Sequence, residues 1–283
     1  MRRRGKYIEE AIVRGLMICS VITVFAFVAS ILIIIATKGF SAISWKMITS
    51  LPEGGFFISG EGGFLNAIVG SLYIVVAATL LGLIISVPIV AFLNIYLRKN
   101  SKLAYFCRLT FDVLYGVPSI VYGAFAFIIM IAVGMKPSLL AGIVVTTMLI
   151  IPIMVRSMDE VAKGFPRGLM DATYSLGATR WESTRVVLRQ ILPGLTTATL
   201  LSVGRAIGDT AAVMFTAGFS DFIPRTLSQQ TATLPLSIFN LLTMPSAKVQ
   251  DKAYAAALVL TVIVLVISLT GRWLSKRITK HNL

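Results

Sequence analysis

The sequence predicts an all-α polytopic membrane protein with six transmembrane helices, and three observations carry the prediction. Hydrophobic residues make up 57% of the 283-residue chain and charged residues only 13%, too few to coat a soluble domain of this size. Apolar runs long enough to cross a bilayer recur six times, separated by polar or Gly- and Pro-containing joints. Lysine and arginine collect in alternate joints, the mark of cytoplasmic loops in membrane proteins.

The first apolar run, Leu16 to Ala36, follows a basic start with Arg2, Arg3, Arg4, Lys6 and Arg14. A secretory signal begins similarly, but its apolar region is only about 7–15 residues long. This one is long enough for a hydrocarbon core of ~30 Å and is read as a spanning helix within residues 1–40. Thr37 to Leu65 reads as a loop, with Pro52 and a glycine cluster from Gly54 to Gly63. The second span is Asn66 to Leu97, with Pro88 expected to kink it. A basic joint (Arg98, Lys99, Lys102, Arg108) leads to a third span from about Val113 to Val133, and Lys136-Pro137 turns into a fourth, Ser138 to Val155. On the third span Tyr115, Ser119 and Tyr122 share a helical face beside Gly116, Pro118 and Gly123, a pattern for close helix packing. Asp112 reads as a solvated end residue, and Ser71, Tyr73, Asn94, Thr146 and Thr147 as interhelical hydrogen-bonding groups.

Arg156 to Pro193 is the longest polar stretch, and a joint of that length is either disordered or has work to do. Phe165-Pro166 suits a helix start, Arg167 to Leu176 supplies its turns, and Gly177 suits its C-terminal cap. Thr179-Arg180-Trp181-Glu182 is a capping-box pattern opening a second helix to about Leu192, which Pro193-Gly194 is expected to break. Two short helices hinged at Gly177–Thr179 are either an amphipathic connector on the membrane surface or a docking element for a partner.

The fifth span, Leu195 to Ala217, is the unusual one. As a continuous helix it places Ala198, Ser202, Arg205, Asp209, Ala212 and Thr216 on one face. An ionisable side chain at the bilayer centre costs about 2.5–3.5 kcal/mol, so it normally faces a partner or a polar cavity. Arg205 and Asp209, four residues apart, can neutralise each other. Alternatively they line a path, where a guanidinium fork receives an anion and the carboxylate limits how tightly it is held. In the joint Gly218 to Lys252, the apolar piece Leu236–Leu242 is expected along the membrane surface. The sixth span, Ala253 to Leu269, ends in a basic tail of Arg272, Lys276, Arg277 and Lys280.

Six spans put both termini on one side. Of the 26 Lys and Arg, 19 lie on that side, six on the other, and Arg205 within a span. Both termini are therefore expected in the cytoplasm, and the net charge of +14 needs no nucleic acid. Cys19 and Cys107 offer no disulfide framework. The sole histidine, His281, makes no metal site, and no Gly-x-x-x-x-Gly-Lys-Ser/Thr phosphate loop is present, so no cofactor is expected.

Asp171-Ala172-Thr173, Gly177 six residues after the acid, Val187-Leu188 and Pro193-Gly194-Leu195 together resemble the EAA signature of ABC importer permeases. Two positions depart from it: Asp171 replaces the usual glutamate, and Arg189 stands where a proline commonly follows leucine. The runs Asp112–Gly123, Leu176–Trp181, Gly204–Thr210 and Leu234–Asn240 are similar to PstA-type permeases of phosphate importers, in which residue 209 is commonly glutamate. This resemblance, running from about Gly62 to Arg272, implies a type I ABC importer permease (MetI-like) core over residues 62–272. It implies a cytoplasmic coupling helix in loop 156–194, where Asp171, Ala172, Leu176 and Gly177 meet an ATPase. It also implies a substrate path with Arg205, Asp209 and Ser202. The implied partners are a PstC-like second permease, two copies of a PstB-like ATPase and a PstS-like phosphate-binding protein. Phosphate is the implied solute, a bacterial or archaeal plasma membrane the implied location, and the chain itself does no covalent chemistry. A sulfate or molybdate permease would share the coupling stretch. A proton-driven transporter using Asp209 would not need it, and a purely structural membrane subunit would not need the charged pair.

Overall fold

The computed structural model describes residues 2–53, 61–98 and 101–281. Its elements in chain order are α1 (Arg2–Ala42), α2 (Trp45–Thr49), the strand pair β1 (Pro52–Glu53) and β2 (Glu61–Gly62), and α3 (Leu65–Ala91). A π-helical turn (Phe92–Tyr96) follows, then α4 (Lys102–Gly116), α5 (Ser119–Ala132), α6 (Leu139–Lys163), α7 (Arg167–Ser175), α8 (Arg180–Gly208), α9 (Leu234–Leu242) and α10 (Ala247–His281). The antiparallel strands pair Pro52 with Gly62 and Glu53 with Glu61. Most of the glycine cluster expected to turn this loop, from Gly54 to Gly60, lies outside the described residues.

Among the described residues five helices are long and apolar enough to cross a membrane, and α4 with α5 makes a sixth crossing only if taken as one broken span. The apolar middle of α6, with Val145, Ile150, Met154, Val155 and Met158 fully buried, packs against α3 on one side and α8 on the other. α10 packs along α8 and α9. The first span is set apart: the apolar length of α1 is exposed, and it meets α10 where the Lys38 ammonium sits 4.6 Å from the Tyr254 ring centre.

Four expectations need correction. The third span is not one helix from Val113 to Val133, because α4 and α5 meet at a 97° corner. Pro118 disfavours helical geometry at Val117, which sits at φ −69°, ψ 128°, and the Tyr122 hydroxyl donates to the Leu114 carbonyl across the corner at 2.9 Å. Tyr115 is thereby separated from Ser119 and Tyr122, and their shared face does not form. Gly123 does pack closely: a Cβ there would lie 2.7 Å from the Ala211 carbonyl oxygen. Second, the apolar piece Leu236–Leu242 is only partly a surface element: Phe239 and Leu242 are exposed, while its other side enters the core. Leu234, Leu236 and Leu241 of α9 are buried, Leu234 and Leu241 in a core with Phe64, Ala67 and Ala256, and the Ser71 hydroxyl accepts from the Leu234 N–H at 2.8 Å.

Third, Pro193-Gly194 does not interrupt α8. Proline lacks the N–H that would reach back to the Arg189 carbonyl, yet the helix runs on through it, and α10 braces it here, the Ser275 hydroxyl donating to the Pro193 carbonyl at 3.2 Å. Fourth, the fifth span does not remain helical to Ala217, for α8 ends at Gly208. Pro88 keeps its place inside α3, and the geometry changes to π-helical one turn later. Asn94 forms the tertiary bonds expected of it, whereas the Thr147 hydroxyl bonds within its own helix, to the Ile143 carbonyl.

Candidate functional site

The first candidate region is the break in the fifth span. Arg205 lies in the last turn of α8 and is exposed, and a cation there is favoured by the helix dipole. Asp209 is the C-cap, at φ −80°, ψ 119°, and so leaves the helix. One of its oxygens, Oδ1, accepts from the Ala212 N–H at 2.9 Å and starts a turn rather than meeting Arg205. Among the described residues no ion pair joins Arg205 to Asp209, so of the two alternatives the self-neutralising pair is not formed. Ser202, one turn back on the same side of α8, does not open to the break. It is fully buried and its hydroxyl donates to the Ala198 carbonyl at 3.1 Å.

From Asp209 to Ala217 the chain continues in turns, held by Met214 N–H to Thr210 O and Ala217 N–H to Val213 O. It ends against the start of α6, where Ser138 N–H donates to Thr216 O at 2.9 Å. Gly123 of α5 lies against its Ala211 and Ala212. Irregular backbone at membrane depth is tolerated only where protein buries it or a water-filled cavity solvates it. Here Ala212, Val213, Thr216 and Ala217 are buried, whereas Arg205 and Gly208 at the break are open.

The second region is the corner α6–α7–α8. α6 runs on to Lys163, eight residues past the expected end of the fourth span, and α7 opens after Pro166. Gly177 takes φ +81°, the left-handed conformation glycine adopts without cost. The Thr179 hydroxyl accepts from Glu182 N–H, while Glu182 Oε2 accepts from the Thr179 N–H at 2.8 Å, so the capping box is complete. Thr173 and Ser183 hydroxyls meet at 2.9 Å and tie α7 to α8. Asp171, Ala172, Leu176 and Gly177 are all exposed, and Leu176 is 88% exposed. An apolar side chain so fully presented on a short helix, with Leu169 beside it, suits a protein contact.

A third feature escaped sequence reasoning. Asp159 is 2% exposed and receives Arg108 Nε at 2.9 Å, Asn94 Nδ2 at 2.8 Å and Lys163 Nζ at 2.8 Å. Arg108 Nη2 also donates to Asn94 Oδ1 at 3.1 Å. The cluster locks the π-helical turn, α4 and α6 together directly before α7, beside a cleft of about 680 Å³. Asp112 is exposed, as expected of a solvated end residue, and is also ion-paired with Arg156 of α6. One signal was present: Val155, Met158, Asp159 and Ala162 repeat at helical spacing and extend the buried face of α6 past Pro152. Of the partners of Asp159 only Lys163 is local, four residues on, while Asn94 and Arg108 lie 65 and 51 residues away and leave no local trace.

Residues 86–280 match the family model described as binding-protein-dependent transport system inner membrane component. The chain is 32% identical over 239 residues to the phosphate transport system permease protein PstA of Yersinia pestis, covering 83% of this chain and 79% of that one. It is likewise 32% identical over 260 residues to the PstA protein of Haemophilus influenzae, covering 91% and 90%. Among solved structures, an inward-facing form of the MetNI methionine ABC transporter aligns at a TM-score of 0.63 with 19% identity, covering 76% of this chain and 95% of that chain. That likeness concerns the fold.

Proposed function

This chain belongs to the family of binding-protein-dependent transport system inner membrane components, and on that premise we propose that it is the membrane permease subunit of an ATP-driven phosphate importer. The substrate assignment follows from the PstA relatives. The coupling mechanism rests on one observation, that α8 is a single helix with the α7 corner at one end and Arg205 at the other. In this reading residues 62–272 are the permease domain, and the α7 end and both termini face the cytoplasm. Asp171, Ala172, Leu176 and Gly177 seat α7 on an ATPase subunit. ATP-driven motion there passes along α8 to the break at Asp209.

Arg205 offers a planar fork of donors to a tetrahedral oxyanion crossing the membrane. The carboxylate of Asp209 and the carbonyl end of α8 lie beside it and weaken the hold, which a path requires for release. Ser202, buried one turn back along α8, seats the helix in the bundle. A second permease completes the path, two ATPase copies dock on the pair, and an extracytoplasmic binding protein delivers phosphate. Hydrolysis of ATP belongs to the partner.

The test is ATPase activity in proteoliposomes holding the reconstituted assembly. A phosphate-loaded binding protein should stimulate it, and stimulation by a sulfate-loaded one alone overturns the substrate assignment. Arg205→Ala should assemble normally and abolish phosphate uptake. Wild-type uptake by that variant removes Arg205 from the path.

A further inference from the structure

The break at Asp209 has a chemical bias that a cation alone does not explain. Across the six apolar runs of the sequence, Arg205 and Asp209 are the only lysine, arginine, aspartate or glutamate side chains. Among the described residues no ion pair joins them. They stand four residues apart, a rise of about 6 Å, so one tetrahedral ion can touch both. A Cβ added at Gly204 or Gly208 would meet nothing within 4 Å, so the backbone on either side of Arg205 is bare.

Arg205 is the one charged donor here, and acceptors surround it. The Ala212 N–H holds Asp209 Oδ1 at 2.9 Å, which fixes the carboxylate and leaves Oδ2 without a partner among the described residues. The last carbonyls of a helix lack partners within it, and of those of α8 Ala206 O accepts the Asp209 N–H at 3.4 Å. Thr210, the next residue, carries a hydroxyl that can donate or accept and so favours neither kind of ligand atom. An ionised carboxylate only accepts. A tetrahedral anion made of acceptors alone therefore meets Arg205 well and Asp209 badly. Phosphate differs from sulfate in keeping a proton at neutral pH, and that P–OH is the donor which Oδ2 lacks.

We propose that Asp209 is the specificity-determining residue of the path. Its Oδ2 accepts the P–OH of phosphate while Arg205 takes the unprotonated oxygens, and the same carboxylate turns away anions with no proton to offer, sulfate above all. The assignment rests on the reading of Arg205 as part of the path. A charge-assisted O–H···O⁻ bond is short and strong. A site built around a ligand hydroxyl rejects the analogue without one, because its own polar group is then left unpaired. Between the ion as a whole and the carboxylate there is still repulsion, so phosphate is recognised without being trapped.

The test uses the assembled complex of permeases and ATPase subunits without the binding protein, with ADP filling the nucleotide sites. Equilibrium dialysis against radiolabelled phosphate or sulfate, in alkaline buffer where both are dianions, compares ions of equal charge that differ by one P–OH. The wild type should hold phosphate at least about tenfold more tightly. In D209N the amide oxygen keeps the Ala212 N–H and the Nδ2 donates, so sulfate should gain and the ratio should fall by about tenfold or more. D209S also removes the charge and should shift the ratio in the same direction. Equal binding by the wild type, binding of neither ion included, overturns the proposal. So does an unchanged ratio in either variant that assembles. Arg205→Ala should lose both ions alike. Lost uptake in Arg205→Ala with an unchanged ratio in D209N counts against this inference alone, whereas normal uptake in Arg205→Ala removes the path and this inference with it.

Discussion

The sharpest stability prediction concerns Asp159→Asn. The substitution keeps the side-chain shape and removes the charge that three donors share: Arg108, Lys163 and Asn94. The side chains of Asp159 and Arg108 are 4% and 24% exposed. Removing one partner of a buried pair costs about 3–5 kcal/mol, because the other charge is left behind. Arg108 opens partly onto the 680 Å³ cleft, which places the expected loss near the lower end, about 3 kcal/mol. Lys163 is 39% exposed, so Lys163→Ala should cost under about 1 kcal/mol. In Asp159→Asn/Arg108→Gln neither ion remains, and the double variant should lose less than the sum of the singles, by at least about 1 kcal/mol. Unfolding of the purified protein by sodium dodecyl sulfate in mixed micelles, followed by circular dichroism, gives all four values. An Asp159→Asn loss no larger than that of Lys163→Ala refutes the reasoning, and so does strict additivity in the double variant.

Two other substitutions test local geometry. Gly177→Val meets no steric obstacle, since nothing lies within 4 Å of a Cβ there, but its φ of +81° should cost about 1–2 kcal/mol. It should reduce substrate-stimulated ATPase activity in the assembled complex while total assembly stays normal, and unchanged stimulation counts against the α7 corner as the docking point. Gly123→Ala places a methyl 2.7 Å from the Ala211 carbonyl and 2.9 Å from that of Ala212. It should destabilise the protein by about 1–3 kcal/mol in the same micellar unfolding assay, and a neutral result means that α5 can slide away from the broken span.

What the sequence made legible was governed by neighbours along the chain. Pro166, Gly177 and the Thr179–Glu182 box act over one to four residues, and the corner they predict is the corner found. The features that escaped are set by distant partners. Pro193 reads as a break until Ser275 of α10 is seen donating to its carbonyl, 82 residues away. The opposite error occurred at Asp209: no proline marks the end of α8, and the apolar run past it looks helical. The turn there is paid for by contacts with Gly123 and Ser138 from elsewhere in the chain. The candidate site was legible in composition, with Arg205 and Asp209 in a membrane run, but not in geometry, because their pairing assumed a helix that stops between them.

The unbroken course of α8 has a mechanical consequence. The side chain of Leu200 lies over Gly271 of α10. A stiff rod pivoting at that point has unequal arms. Arg180 lies 20 residues from Leu200 and Arg205 only five, or about 30 Å and about 7.5 Å at 1.5 Å per residue. Such a lever divides movement by about four: a 4 Å stroke at the α7 corner becomes a shift of about 1 Å at Arg205, with force raised in the same ratio. Coarse motion at one end is thereby converted into fine adjustment at the break, a scale suited to loosening a bound ion without displacing the surrounding helices.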